Sequence, residues 1–421
     1  MNLILSATTI IAKIIEKDIP LAKAAKEHFA LHYYTREDRK IIKALVVSTL
    51  KHRYVLGRIV LDNFPSIKMS DKRIIIVGLA NTIFVKGISD DETMEQITSL
   101  ISNDNISYHL LEKILHQHFD VNNLVPSYVI PNSIEYFHLR YNIPVWLIEM
   151  WGKHYGKVLL PRLVGATSKK YVPTLRVNKA KISRKELLYK YPATYENGFS
   201  ETTVRYLGTR AVSKVDAVKK GELIPISESL NHVANKLSLK GRDEILVMAD
   251  AHSPFVLALD EKMSSKNRVL YALSTYDEVV EARKAIEACG FGRFEIVESP
   301  LSLLVTHVSH PHDLVVVLPP SSNFQSIAYT PDFFTHFTAD KLDKILKTQQ
   351  DYLEECSAYV EEGGQLLYLV ETGNNKEGTL QIKYFLESHK EFSLVEERQM
   401  LPLDKRGGFC YFALLKKGGR K

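Results

Sequence analysis

Cysteine is scarce in this sequence: Cys289, Cys356 and Cys410 are the only three among 421 residues. Thiols this few and this widely spaced exclude a disulfide framework and a cysteine-rich metal site. Long apolar runs are lacking too. The longest, residues 74–85, is broken by Asn81 and Thr82, and it falls short of the ~18 apolar residues that mark a membrane-crossing helix. Residues 1–17 have no basic leading region and are interrupted by Lys13, so they do not read as a signal peptide. These absences predict a cytoplasmic protein with no membrane partner. What is present is ordinary: 25% charged and 45% hydrophobic residues, which excludes disorder and collagen-like architecture. The length predicts two or three domains at roughly 150 residues each.

The pattern changes twice along the chain. Residues 1–125 read as an all-α bundle. Thr35 and Asp38 form a helix-start signal, and Ile42, Leu45, Val46 and Leu50 follow at helical spacing. Leu110, Leu111, Ile114 and Leu115 mark another helix. Pro126, Pro131 and Pro144 then punctuate the chain. Residues 126–220 read as a small α+β connector, extended over 171–178 and helical over 184–190. Residues 221–421 alternate short β-branched runs (245–249, 269–273, 294–297, 314–318, 366–370) with helical segments (276–288, 339–360, 379–388). That alternation predicts a parallel sheet covered on both faces. Gly363 and Gly364 read as the cap of the long helix, and segments 394–400 and 409–415 as late strands forming an antiparallel edge.

Charge is distributed unevenly over these segments. The whole chain carries +6, but residues 1–125 contribute +2, residues 126–220 +11 and residues 221–421 −7. Lysines and arginines concentrated beside Tyr171 and Tyr189 suit a phosphate backbone and unpaired bases. The competing reading is a solvated basic surface on a connector.

Several short motifs, taken in order, carry a resemblance. Thr174-Leu175-Arg176-Val177-Asn178, Gly363-Gly364-Gln365-Leu366-Leu367-Tyr368, Leu380-Gln381-Ile382-Lys383-Tyr384-Phe385-Leu386 and Gly408-Phe409-Cys410-Tyr411-Phe412 resemble, respectively, the L-R-V-N element, the G-G-x-L-V-Y strand entry, the helix after the second active-site cysteine and the terminal G-F-F-x-A strand of the bacterial 16S ribosomal RNA cytosine-5 methyltransferases of the Sun family. The resemblance implies a NusB-like helical domain, a linker module and a Rossmann-like catalytic domain. It also implies a chemistry in which one cysteine thiolate adds to carbon 6 of cytosine. Carbon 5 then takes a methyl group from S-adenosylmethionine, and a second cysteine assists product release.

The residues at the corresponding positions differ from that chemistry. Where the family has D-A-P-C-S, this chain has Leu318-Pro319-Pro320-Ser321-Ser322; Glu371 stands in place of the second cysteine. A serine hydroxyl is a poor nucleophile without a base, and glutamate supplies no thiolate. The cofactor loop, rich in glycine in the family, reads Ala249-Asp250-Ala251-His252-Ser253-Pro254-Phe255. Asp250 and Pro254 are retained there, Ser274 holds the ribose-binding position with Asp277 and Glu278 nearby, and Glu298 holds the adenine-side position. The three cysteines read as small buried side chains.

Two other groups of residues have the composition of a binding site. His307, His310, His312 and Asp313 invite a metal site, but Pro311 makes the segment a turn, and no metal is predicted. The segment from Gly152 to Gly156 lacks the spacing of a phosphate loop, and Trp146 and Trp151 read as packing residues. The expectation is an RNA-binding relative of these methyltransferases, acting in ribosomal RNA handling or ribosome assembly, without a cofactor and catalytically inactive. Its partner would be ribosomal RNA rather than DNA, touched by Lys169, Lys170, Arg176, Asn178, Lys179 and Arg184. The alternative is an active S-adenosylmethionine-dependent RNA methyltransferase with altered catalytic residues.

Overall fold

The computed structural model describes residues 2–101, 106–403 and 407–418. These divide into two compact units: residues 1–169 with 326–339, and residues 170–325 with 340–421.

The first unit is helical, as the spacing predicted. Its longest helix, Arg36–Asn63, starts at a complete capping box: the Asp38 amide donates to Thr35 Oγ1 at 3.1 Å, and the Thr35 amide donates to Asp38 Oδ2 at 3.0 Å. Ile42, Leu45, Val46 and Leu50 face a core shared with Ile4, Ile10, Ile11 and Ile14 of the helix Leu3–Lys17. The apolar run 74–85 is not one helix. Met69–Ala80 is α-helical and Asn81–Val85 is a π turn. Asn81 is fully buried there and donates to Ile88 O and Thr93 Oγ1 while accepting from the Gly87 and Ile88 amides. Its four satisfied hydrogen bonds offset the cost of burying an amide in an apolar run. Gly152 and Gly156 lie within the helical segment Val145–Thr167, which bends where Gly156 takes φ +74. Trp151 is buried, and Trp146 lies 5.8 Å from the Phe337 ring, so both tryptophans pack. Segment 326–339 joins this unit through Asp332, which accepts from the Leu21 amide at 2.8 Å, and through Arg53, which donates to Phe334 O.

The second unit contains two sheets. The smaller is antiparallel, in the order β2-β3-β1-β4, from β1 (Thr174–Val177), β2 (Tyr195–Asn197), β3 (Thr203–Tyr206) and β4 (Leu223–Pro225). The helix Arg184–Lys190 falls where the sequence placed it. The larger sheet has seven strands in the order β10-β11-β9-β8-β5-β6-β7. Its parallel members are β5 (Glu244–Met248), β6 (Arg268–Leu273), β7 (Phe294–Glu298), β8 (His312–Val317) and β9 (Val360–Val370). β10 (Phe392–Met400) and β11 (Cys410–Lys417) complete it as the predicted antiparallel edge. Along β5, Ile245 and Val247 enter the core on one face, while Leu246 and Met248 enter the core on the other. Two buried faces are why this strand is continuously apolar.

One expectation is corrected. Gly363 and Gly364 do not cap a helix. The long helix ends at Ser357, and Val360 already opens β9. The pairing shifts from His312↔Val360 to Leu314↔Gln365, and Gly363 occupies that irregularity with φ +83. A bulge needs such a conformation as much as a helix cap does, so the glycine pair alone does not separate the two.

Candidate functional site at the carboxyl ends of the strands

The carboxyl ends of β5, β6, β8 and β9 converge on a cavity of about 400 Å³. A crevice outside the carboxyl ends of parallel strands is where open α/β sheets place ligands. Asp250, Ser253 and Pro254 line it from the loop after β5, Ser274 and Glu278 from beyond β6, Leu318 to Ser321 from beyond β8, and Glu371 from beyond β9. All three altered catalytic positions, Leu318, Ser321 and Glu371, therefore meet in one place with Asp250, Pro254 and Ser274. Glu298 does not join them; it is exposed at the end of β7. Phe255, bulky where the family has glycine, does not fill the cavity. It is the second residue of the helix Pro254–Asp260 and is wholly buried in the core beneath.

The cavity is acidic and partly dehydrated. Burial, reinforced by the charge of Asp250, raises the Glu371 carboxyl to about 7, against a smaller opposing contribution from the Ser227 hydroxyl. Burial also raises Asp250, whose side chain accepts from the His252 amide at 3.0 Å. Glu278 is committed locally: its Oε2 accepts from the Ser274 and Thr275 amides, each at 3.0 Å, at the start of the helix Tyr276–Cys289. Among the described residues, no histidine or carboxylate is hydrogen-bonded to Ser321, whose Oγ meets only the Asn323 amide at 3.4 Å.

None of the three thiols is part of this lining, although Cys410 at the start of β11 lies close to Glu371. Cys289 closes its helix and burial pushes its thiol up to about 11. Cys356 and Cys410 are completely buried and are shifted upward by burial; the nearby Glu371 charge pushes Cys410 further. Each environment favours the neutral thiol over the nucleophilic thiolate.

Sequence reasoning missed the group that holds the two catalytic-position loops together. Glu377 is fully buried. Its Oε2 accepts from the Ser322 amide at 2.8 Å and from Gln349 Nε2 at 3.0 Å. Its Oε1 accepts from Thr372 Oγ1 at 2.6 Å and from Asn374 Nδ2. The loops after β8 and β9 thus share one carboxylate. The available signal was an acid amid Thr372, Asn374 and Asn375, which reads as an ordinary polar turn.

The basic module divides the proposed RNA contacts. Lys169, Lys170 and Lys179 are exposed, and Arg184 is half-buried, donating to Ser200 O at 3.0 Å. Arg176 and Asn178 need correction, because both are buried. Leu175 and Val177 point into the core of the small sheet, so pleating turns Arg176 to its other face. There Arg176 donates to Asn231 at 2.6 Å, Asn235 at 2.8 Å and Glu261 at 2.7 Å. Asn178 donates to the carbonyls of Gly221 and Cys289, each at 2.8 Å. These are internal ties between the small sheet and the elements of the larger one.

The histidines do not assemble into a centre. His310 and His312 stack at 5.0 Å, and burial, then the charge of His310, lowers His312 to about 4. Among the described residues, no group of three or more potential ligands could hold a metal ion, and no helix is long and apolar enough to cross a membrane.

A helical region followed by a parallel sheet with an antiparallel edge, and a cavity at the strand ends, defines a Rossmann-like methyltransferase fold. The solved structures agree. PH0851 superposes with a TM-score of 0.74 at 18% identity over 98% of both chains. A methyltransferase homolog protein from Pyrococcus horikoshii covers 69% of this chain and 100% of its own, with a TM-score of 0.57 at 16% identity. NSun6 from the same organism, crystallised with SFG, covers 66% and 99%, again with a TM-score of 0.57, at 12% identity. In sequence, the chain is 25% identical over 276 residues to the probable ribosomal RNA small subunit methyltransferase B of Bacillus subtilis, covering 64% of this chain and 61% of that protein. The chain thus spans about three fifths of that relative's length. No family model matches. The resemblance read from the motifs agrees with these likenesses: in sequence the chain is similar to a probable ribosomal RNA small subunit methyltransferase B, and in fold to the solved methyltransferase structures.

Proposed function

We propose that this chain is an RNA-binding pseudoenzyme that no longer methylates cytosine. The observation that carries this reading is the composition of the cavity. Ser321 and Glu371 stand at the two cysteine positions, and all three thiols are buried outside the lining. Serine without a base and a glutamic acid, in either protonation state, do not replace two thiolates.

S-adenosylmethionine is the cofactor the fold implies, and this lining does not suit it. Leu318 presents an isobutyl group at the motif aspartate, and the loop 249–257 has no glycine to admit the cofactor against its backbone. Calorimetry with S-adenosylmethionine is expected to give no binding at millimolar concentration. Micromolar affinity would overturn the loss of cofactor.

The partner is RNA, ribosomal by kinship with the relative, and the role is in ribosomal RNA handling or ribosome assembly in the cytoplasm. Residues 1–125 serve as a NusB-like helical domain, residues 126–220, of which 126–169 pack with the helical unit, as a basic RNA-binding connector, and residues 221–421, apart from segment 326–339, as a domain of methyltransferase type. The exposed Lys169, Lys170 and Lys179 are the contacts favoured by geometry. Reversing all three to glutamate is expected to weaken RNA binding and to lower the slope of log affinity against log salt by roughly 2 to 3. Unchanged affinity and slope would refute the assignment.

One observation favours a second reading. A carboxyl near 7 inside a strand-end cavity has the proton affinity of a general base. Transfer of a labelled methyl group to RNA, abolished by Glu371→Gln, would establish an altered methyltransferase instead.

A further inference from the structure

A second cleft, of about 510 Å³, lies in the small-sheet module, between β2, β3, the helix Arg184–Lys190 and the segment 208–222. Its walls combine two kinds of side chain. Tyr191, Tyr195 and Tyr206 form a continuous aromatic wall, with ring centres 6.3 Å apart for the first pair and 5.7 Å for the second. Lys190, Arg210 and Lys220 supply positive charge around it, and all three are exposed.

The wall is graded in exposure. Tyr195 and Tyr206 are buried, whereas Tyr191 is 43% exposed and carries the Lys190 ammonium 5.5 Å above its ring. Tyr191 is therefore the partly exposed ring of the wall, packed edge-on against Tyr195, which in turn packs on Tyr206. Gly208 lies directly against Tyr206 of this wall. A Cβ there would lie 2.4 Å from the Tyr206 ring, so only glycine lets the segment run against the tyrosine. Asp216 and Glu222 add acceptors beside the cations, and burial raises the Tyr195 phenol, which stays a hydroxyl donor.

We infer that this cleft takes one unpaired nucleotide of a single-stranded RNA, its base against Tyr191 and its phosphate on Lys190, Arg210 and Lys220. The inference rests on the RNA-binding reading and deepens it. An aromatic face accepts any base, while flanking cations hold the backbone. Acceptors such as Asp216 and Glu222 suit the exocyclic amines of a base or the 2′-hydroxyl of its ribose. A duplex cannot present a base to the cleft, so the site selects single strands. The exposed lysines outside it, Lys169, Lys170 and Lys179, act through charge alone and serve both forms.

Fluorescence anisotropy of the full chain with a short single-stranded RNA and with its duplex tests this. Tyr191→Ala is expected to weaken single-strand binding roughly ten-fold or more and to leave duplex binding and the melting temperature unchanged. Tyr191→Phe should retain single-strand binding, because it keeps the stacking face. Arg210→Glu, at an exposed position, should weaken both the affinity and its salt dependence. If the unaltered chain binds single strands and Tyr191→Ala and Arg210→Glu bind them equally well, the cleft is not the site, and the RNA reading survives without it. If the unaltered chain binds neither RNA, both fall. Micromolar binding of uridine monophosphate by a chain that ignores RNA would overturn the assignment to RNA.

Discussion

Replacing Arg176 separates a structural arginine from an RNA-contacting one. Its side chain is 2% exposed and its ion-pair partner Glu261 12% exposed. Arg176→Ala leaves the Glu261 carboxylate buried and unpaired and removes the donors to Asn231 and Asn235. Breaking a buried pair by deleting one partner costs about 3–5 kcal/mol. For a unit of this size each kcal/mol lowers the melting temperature by roughly 2–4 °C, so a loss of about 6–20 °C is expected. Arg176→Lys should recover only part of this, because one ammonium does not span three acceptors as a guanidinium fork does. Arg176→Met combined with Glu261→Gln should be milder than Arg176→Ala, since it leaves no orphaned charge. Thermal unfolding followed by circular dichroism reads all three. A fully stable Arg176→Ala that has lost RNA affinity would refute the structural role and restore Arg176 as an RNA contact.

The remaining predictions concern the strand-end loops. The folded-state value of Glu371, about 7, lies above its ordinary 4.5, so the folded chain binds this proton more tightly than the unfolded chain does. The associated stability is complete below pH 4.5 and is lost as pH rises through 7. Glu371→Gln should remove about 1–3 kcal/mol of that pH dependence, measured as urea midpoints between pH 5 and 8; an unaltered profile would show that Glu371 is not buried as a protonated acid. Glu377→Ala should cost about 3 kcal/mol or more, because it strands several buried donors at once. A urea midpoint equal to that of the unaltered chain would refute its part in joining the two loops.

Much of the architecture was legible from local signals. Thr35 and Asp38 announce a helix start whichever core lies beyond it. The helices Arg184–Lys190 and Thr379–Ser388 follow from side-chain spacing alone. The β-branched runs of the parallel strands need only two apolar faces. The altered positions were legible in the same way: Leu318, Ser321 and Glu371 each follow a strand, and strand ends in a parallel sheet meet on one side. Arg176 and Asn178 were misread for a matching reason. A basic run reports charge, but the strand's pleat and the covering helix Glu228–Lys236 decide which of its members reach water.

The sequence by itself determined the order of elements, the altered residues at both cysteine positions, and the concentration of positive charge between residues 126 and 220. Only the tertiary structure decided that Phe255 leaves the strand-end cavity open, that Glu377 joins the loops after β8 and β9, and that Tyr191, Tyr195 and Tyr206 share one wall. The first set depends on composition and on periodicities of a few residues. The second depends on contacts between segments distant along the chain, such as the 55 residues that separate Ser322 from Glu377, and no local pattern encodes which distant partners will meet.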